Sequence, residues 1–488
     1  MTVTSKVKEY YNLINGKLVK AKSGETLDSI EPATGKVWAK MPKSNKQDVD
    51  LTVKAAQDAQ PAWAALTVSE RGEYLRSVAE IILENQEELM SIKSRDNGWV
   101  IRETTYGVPG VLAQYWNDAA GAAITAARGD TVKVSPTSQG YTFREPLGVV
   151  LGILPFNAPL FTFTIKAAYA LAAGNTVVIK PSQHAAISSL RLGELLNKVL
   201  PPGVINVISG LGREIGDDLS GHKGINRVTL TGSSGSAEAI VKATAKRPIP
   251  LTLELGGKSP NIVFEDADLS AALEGVVQPI FGGNAGEICA SGSRILVQRS
   301  VFDELTNMIK ERLKITNLGD PLDPNSAMGP VANQSQFDKI KSYIEIGKNE
   351  GEIIFGGRSG GDVLLPDSPE HADGYWIEPT LIKTEDNSLR VCQEEIFGPV
   401  AVILPFDTEE EAIELANDTE LGLASGVWTK DLSRAHRMID KIEAGNVWVN
   451  TYARVGVDLP FGGVKASGYG NDEILSNTRE KASVIEID

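Results

Sequence analysis

The chain has 488 residues, of which 42% are hydrophobic and 23% charged, an ordinary balance for a globular protein too long for one compact core. A net charge of -15 argues against nucleic acid and anionic membranes as partners. Two cysteines, Cys289 and Cys392, exclude a disulfide framework and point to a reducing, cytoplasmic compartment.

Residues 8 to 45 read as short strands and turns, with Asn15-Gly16 as a hairpin signal. From Asp48 the pattern turns helical. Leu75, Val78, Ile81, Ile82, Leu89 and Ile92 form an apolar stripe over Ser69 to Ile92, and an alanine-rich helix follows from Val108 to Ala127. Thr131 to Val134 and Gly140 to Pro146 form a projecting hairpin. From Leu147 the grammar becomes strand, helix, strand. Gly148 to Leu154, Asn175 to Lys180, Ile205 to Ile208 and Arg227 to Thr231 are strands, with helices from Leu160 to Ala173 and from Ala186 to Leu200. Buried parallel strands alternating with helices define a doubly wound sheet, whose ligands bind beyond the carboxyl ends of the strands. The same grammar returns after Cys289, with a strand at 293–298, a helix at 301–313 and further units up to Asn450. The expectation is an α/β protein with two Rossmann-like doubly wound domains. The cofactor-binding domain takes 1–126 and 146–256, and the catalytic domain 257–460. The hairpin at 127–145 and the terminal strand at 474–488 form a small β oligomerisation element, the strand pairing with the hairpin of its own or another subunit in a homodimer or homotetramer.

No run approaches the ~20 apolar residues of a membrane span, and the first residues lack a signal-peptide core. His184, His222, His371 and His436 are scattered, so no metal site is expected. Gly210-Leu211-Gly212-Arg213-Glu214-Ile215-Gly216 misses the dinucleotide spacing by one residue and reads as a strand-to-helix turn.

Three polar residues stand out in loop contexts: Asn157 in Pro155-Phe156-Asn157-Ala158-Pro159, Glu254 before Gly256-Gly257-Lys258, and Cys289 at the end of a glycine-rich stretch. A thiol, a carboxylate and an amide are the parts needed for covalent catalysis on a carbonyl. With Lys180-Pro181-Ser182, Thr231-Gly232-Ser233, Glu394-Glu395-Ile396-Phe397-Gly398-Pro399 and Pro460-Phe461-Gly462-Gly463, the chain resembles the NAD(P)-dependent aldehyde dehydrogenase superfamily over nearly its whole length.

The resemblance implies a role for each residue. Cys289 is the nucleophile, its thiolate favoured by its surroundings, as by backbone N–H dipoles at a helix start. Asn157 with the Cys289 N–H holds the oxyanion, its other reading being a helix N-cap. Glu254 is the general base for hydrolysis. Lys166 is a proton-relay lysine or a solvated helix lysine. Cys392 is structural. Lys180, Ser182, Gly232 and Ser233 hold the cofactor's ribose and pyrophosphate, Glu395 the nicotinamide ribose, and Phe397 packs near the nicotinamide. Gln183 stands where many NAD-preferring members carry a glutamate, so NADP or NAD, or both, are expected as cofactors. Ala237 replaces a glycine usual in the 231–236 loop.

On the substrate side, Ala158, Ile165, Gly283 and Val455 occupy positions often aromatic in relatives acting on small aldehydes, and Phe161 adds a ring. Tyr115, Trp116, Tyr452 and Phe461 are placed at the mouth. A widened apolar tunnel favours an aromatic or bulky aldehyde of the kind taken by benzaldehyde or vanillin dehydrogenases. Arg454, if turned inward, would instead select a carboxylate-bearing semialdehyde; if turned outward, it is a solvated side chain. Glu254 speaks against an acylating, coenzyme A-dependent enzyme. The intact Cys289, Glu254 and Asn157 speak against a catalytically silent structural protein.

Overall fold

The computed structural model describes residues 7–106 and 108–487. Two large sheets organise it. The first has eight strands in the order Gly468–Tyr469, Leu251–Glu254, Arg227–Thr231, Val149–Ile153, Thr176–Lys180, Ile205–Val207, Asn12–Ile14 and Lys17–Val19. Its five central strands are parallel and nearly all buried, which is why they read as unbroken apolar runs. The edges are antiparallel. At one edge Asn15 and Gly16 turn the hairpin with φ of 51° and 72°, the twist a two-residue turn requires. Chain order reverses at Val149–Ile153, which lies between Arg227–Thr231 and Thr176–Lys180. A crevice at such a reversal is where an open α/β sheet takes its ligand.

The second sheet has seven strands, in the order Glu352–Phe355, Thr380–Lys383, Val400–Phe406, Arg294–Gln298, Pro260–Val263, Ala424–Trp428 and Asn446–Val449. Only the first is antiparallel to its neighbour. Helices pack on both sheets, and among the described residues no helix is long and apolar enough to cross a membrane.

The terminal strand Thr478–Glu486 pairs antiparallel with Ser138–Pro146 of its own chain, which in turn pairs with Thr131–Ser135. Helix boundaries differ from the periodicity reading. The stripe from Ser69 to Ile92 is two helices, Val68–Glu84 and Gln86–Asn97, parted at Asn85, whose side-chain amide donates to the Ile81 carbonyl at 2.8 Å. The following helix stops at Ala122, with a 3₁₀ turn at Thr125–Ala127, and the helix after Ala186 stops at Leu196.

Candidate active site

The loop after Val149–Ile153 carries Asn157, which is buried. Its Nδ2 donates to the Glu287 carbonyl at 2.7 Å, two residues before Cys289. The N-cap of helix Pro159–Ala172 is Ala158, with no side-chain cap, so the capping reading of Asn157 is replaced by a bond across to the cysteine loop. That loop is bent at Ala285 (φ 46°) and Gly286 (φ 71°), the first of them a conformation costly for a residue with a Cβ.

Cys289 lies in the turn closed by the Ser291 N–H on the Ile288 carbonyl, not at a helix start. It is half-buried and belongs to the side chains that pack on the small buried cluster of Ala290, Leu423 and Ala424. Burial, together with the Glu395 and Glu254 carboxylates, pushes its thiol up to about 12, against a smaller pull from the backbone N–H groups of Ala290 and Cys289. The expected stabilisation of the thiolate by backbone N–H groups is therefore present but outweighed, and a base has to accept the thiol proton.

Glu254 ends the strand Leu251–Glu254 and is buried, and neither carboxylate oxygen meets a hydrogen-bond donor among the described residues. Burial raises its carboxyl to about 8, Lys166 opposing and Asp472 adding to the shift. Lys166 is fully buried, not solvated. Its Nζ donates to Thr229 Oγ1 and Asp472 Oδ2, both at 2.8 Å. Asp472 also takes a 3.2 Å contact from Arg227. Burial pushes its carboxyl up, but Lys166 and Arg227 together hold it below its ordinary value.

The double glycine after Glu254 lets two further groups approach. A Cβ on Gly256 would lie 2.4 Å from Glu395 Oε2, and one on Gly257 would lie 2.6 Å from the Cys289 carbonyl. Glu395 accepts the Gly257 N–H at 3.1 Å and faces the cleft, whereas Glu394 turns outward to Arg390 and Tyr343. Phe397 (φ 62°) stands edge-on to Phe156 at 5.7 Å, its carbonyl and that of Ile396 taken by Gln336.

One cleft of about 780 Å³ joins these groups at the carboxyl ends of the first sheet. Asn157, Glu254, Cys289, Glu395 and Phe397 line one end, and Lys180, Ser182, Gln183, Gly232 and Ser233 the remainder. Ser233 caps helix Ser234–Thr244, whose N-terminus faces the cleft with Ser236. Such an end suits a phosphate. Ala237 is buried in that helix and faces its packed side. Lys180 is buried, and burial lowers its ammonium to about 8. Gln183 Oε1 accepts the Gly212 N–H at 3.4 Å, which brings the start of helix Gly212–Ser220 and Arg213 to the cleft wall. Arg213, Gln336, Lys339 and Asp472 are site residues that motif reading missed. Arg213 lay within a rejected glycine pattern, and Asp472 is 306 residues from Lys166.

The aldehyde-side residues are less gathered. Phe461 packs on the same small cluster of Ala290, Leu423 and Ala424 as Cys289. Tyr115 is buried, edge-on to Phe161 at 5.5 Å, and Phe161 and Ile165 lean on the same apolar cluster. Trp116 is wholly buried in the core, not at a mouth. Tyr452 donates to the Ala290 carbonyl at 2.8 Å and lines a separate cavity of about 480 Å³ beyond the cysteine loop. Gly283 opens no extra width. A Cβ there would sit 2.3 Å from Glu103 Oε2 and 2.5 Å from Val100, so those side chains fill the space. Ala158 and Val455 are half-buried, and Arg454 is exposed to solvent.

A thiol, an amide donor and an unpaired carboxyl at one end of a phosphate-suited cleft are the arrangement of an oxidoreductase acting on a carbonyl compound. Residues 18–484 match the Aldehyde dehydrogenase family. The chain belongs to that family and is an aldehyde-oxidising enzyme. It is 40% identical over 472 residues to an aldehyde dehydrogenase of Deinococcus radiodurans, covering 95% of this chain and 90% of the relative. An acetaldehyde dehydrogenase of Pseudomonas aeruginosa is also 40% identical, with coverages of 95% and 91%. Among solved structures, PnpE from Pseudomonas sp. WBC-3 superposes with a TM-score of 0.94 at 38% identity, covering 98% of both chains. Betaine aldehyde dehydrogenase of Staphylococcus aureus in complex with NAD+ gives a TM-score of 0.93 at 35% identity, covering 97% of this chain and 94% of that one.

Proposed function

We propose that the protein oxidises an aromatic or bulky apolar aldehyde to its carboxylic acid with NAD+ or NADP+, through a thiohemiacetal and a thioester on Cys289. The observation that carries this reading is the buried Glu254 carboxyl, without a donor on either oxygen, in one cleft with Cys289. A paired glutamate would be structural. An unpaired one raised to about 8 holds its proton at neutral pH and becomes a strong base, free of any partner, once that proton is lost.

The residues fit a nicotinamide dinucleotide. The Ser233-capped helix end takes the pyrophosphate, Lys180 and Ser182 the adenosine ribose, and Glu395 the nicotinamide ribose. When bound there, the nicotinamide accepts the hydride that the aldehyde carbon gives up. PnpE and the betaine aldehyde dehydrogenase are both known in complex with NAD, and we extend NAD to this chain. Gln183 carries no charge to repel a 2'-phosphate, and Lys180 and Arg213 supply cations, so NADP is used as well.

The chemistry follows from the side chains. As Cys289 Sγ bonds to the carbonyl carbon, its proton passes to Glu254. An amide nitrogen has two N–H bonds, and Asn157 uses one on Glu287, leaving the second, with the Cys289 N–H, for the oxyanion. Collapse of the oxyanion expels hydride from the same carbon and leaves the thioester. Glu254 releases its first proton to solvent, then takes another from water as the water oxygen attacks the thioester carbonyl, and the carbon–sulfur bond breaks with that proton passing back to the Cys289 sulfur, which frees the acid. Lys166 and Asp472 tune Glu254 from behind. Tyr115, Ala158, Phe161, Ile165, Val455 and Phe461 form the aldehyde wall, and Tyr452, in its separate cavity, supports the cysteine loop through the Ala290 carbonyl. Arg454 lies in solvent, which favours this reading over a semialdehyde acid.

We further assign 1–126 with 146–256 to cofactor binding, 257–460 to catalysis, and 127–145 with 474–488 to assembly of a cytoplasmic homodimer or homotetramer. The support for assembly is exposed apolar surface on the three-stranded sheet at Val132, Val134, Val484 and Ile485. Acid-quenching the wild-type protein within its first turnover of benzaldehyde and NAD+ tests the mechanism. Intact mass should show one acyl group, mapped to the Cys289 peptide, and an unmodified Cys289 would overturn it.

A further inference from the structure

One short segment bonds to both the amide loop and the cysteine loop without lining the nucleotide cleft. It leaves helix Gln86–Asn97 and runs to Glu103. At its start the buried Asn97 donates Nδ2 to the Asn157 carbonyl at 2.8 Å and to the Phe156 carbonyl at 3.3 Å, while its Oδ1 accepts the Trp99 N–H at 3.3 Å. At its end the Glu103 carboxylate accepts the Gly283 N–H at 3.0 and 3.1 Å, Gln278 Nε2 at 2.7 Å and Trp99 Nε1 at 3.2 Å. Between them the Val100 N–H donates to the Gly283 carbonyl at 3.2 Å. The segment is itself anchored. Asp96, next to Asn97, accepts Ser29 Oγ at 2.7 Å and the Ile187 N–H at 2.8 Å.

The contacts close a circuit. Asn97 holds the backbone of Asn157. Asn157 reaches the Glu287 carbonyl, which also accepts Asn284 Nδ2 at 2.8 Å. Glu103 and Val100 hold Gly283, at the start of the same loop. The amide loop leaves a strand of the first sheet, and the cysteine loop leaves helix Leu269–Phe281 and enters the second sheet at Arg294–Gln298, so no shared strand fixes the gap between them.

We infer that Asn97 and Glu103 are positioning residues that together set the separation between the Asn157 amide and the Cys289 sulfur. The inference rests on the proposed roles of Cys289 and Asn157. Loosening either end lets the oxyanion drift from its donor, and a misplacement of ~1 Å can cost ~100-fold in rate.

The test separates carbonyl chemistry from thiol chemistry. Alkylation of Cys289 by iodoacetamide needs the thiol but forms no oxyanion. Asn97→Asp keeps the shape and removes the donor. Its kcat should fall about tenfold to a hundredfold, while aldehyde KM, NAD+ affinity and alkylation rate stay within about threefold. Wild-type kcat, or losses of alkylation and cofactor affinity as large as the loss of kcat, would overturn the inference. Should Asn97→Asp fail to fold, Glu103→Ala and Glu103→Gln decide it from the other end. Glu103→Ala should lower kcat about tenfold, with Glu103→Gln, which keeps one acceptor for Gly283, restoring at least half of that on a logarithmic scale. Wild-type kcat in Glu103→Ala sinks it. Cys289→Ala separates the two levels: turnover surviving in that variant defeats the nucleophile assignment, whereas its loss beside normal Asn97 and Glu103 variants defeats only the positioning role.

Discussion

The two sides of Cys289 are built differently. On the nucleotide side several wall residues stand at the end of a parallel strand or the start of a helix: Glu254 closing Leu251–Glu254, Lys180 closing Thr176–Lys180, Ser233 capping Ser234–Thr244. Backbone hydrogen bonding fixes those ends, so a local motif is enough to place them. The residues proposed for the aldehyde side sit on two helices, Val108–Ala122 and Pro159–Ala172, and on the irregular loop 450–462, and their positions depend on what packs behind them. Gly283 shows the consequence. The missing side chain makes no room, because Glu103 and Val100 have moved into it.

Four experiments probe this contrast, in descending order of effect. Cys289→Ala should lower turnover by about 10⁴-fold or more while NAD+ affinity stays within about twofold, because the cleft walls do not depend on the sulfur. Calorimetry beside steady-state assays checks both halves. Glu254→Gln should cost about 10²–10⁴ in kcat, as for loss of a general base. In the wild-type enzyme kcat should rise with pH through about 8, the value to which burial lifts this carboxyl.

The same burial makes a stability prediction. Between its ordinary range and about 8 the folded Glu254 binds a proton that the unfolded chain has released, so stability falls as pH rises across that window. Glu254→Gln should therefore raise Tm more at pH 9 than at pH 5, and an equal change at both would contradict it. Third in size, Gln183→Glu should lower kcat/KM for NADP about tenfold or more relative to NAD, because a carboxylate there repels a 2'-phosphate. An unchanged ratio would remove Gln183 from the nucleotide side. The smallest effect is expected at the exposed Arg454. Arg454→Ala should leave kcat/KM within about twofold for benzaldehyde and succinate semialdehyde alike. A selective loss with the semialdehyde would turn Arg454 inward and break the comparison.

Electrostatics was the part least legible in residue types. Cys289 in a glycine-rich loop reads as an activated thiol, yet burial and two nearby carboxylates push it up to about 12. Lys166 reads equally as relay or surface lysine, and only packing shows it buried on Asp472. Asn97, the last residue of helix Gln86–Asn97, belongs to none of the motifs. Its bond to the Asn157 carbonyl spans 60 residues and leaves no periodic trace.

Apolar strand runs, the Asn15-Gly16 turn and the spaced loop motifs determined the two parallel sheets and the family from the chain alone, because such signals act over a few residues of backbone. Tertiary structure decided the protonation of Cys289 and Glu254, the pairing of Lys166, the split between Glu394 and Glu395 and the filling of the space beside Gly283. Each of these depends on which distant groups share a low-dielectric space, and no local pattern of residues encodes that.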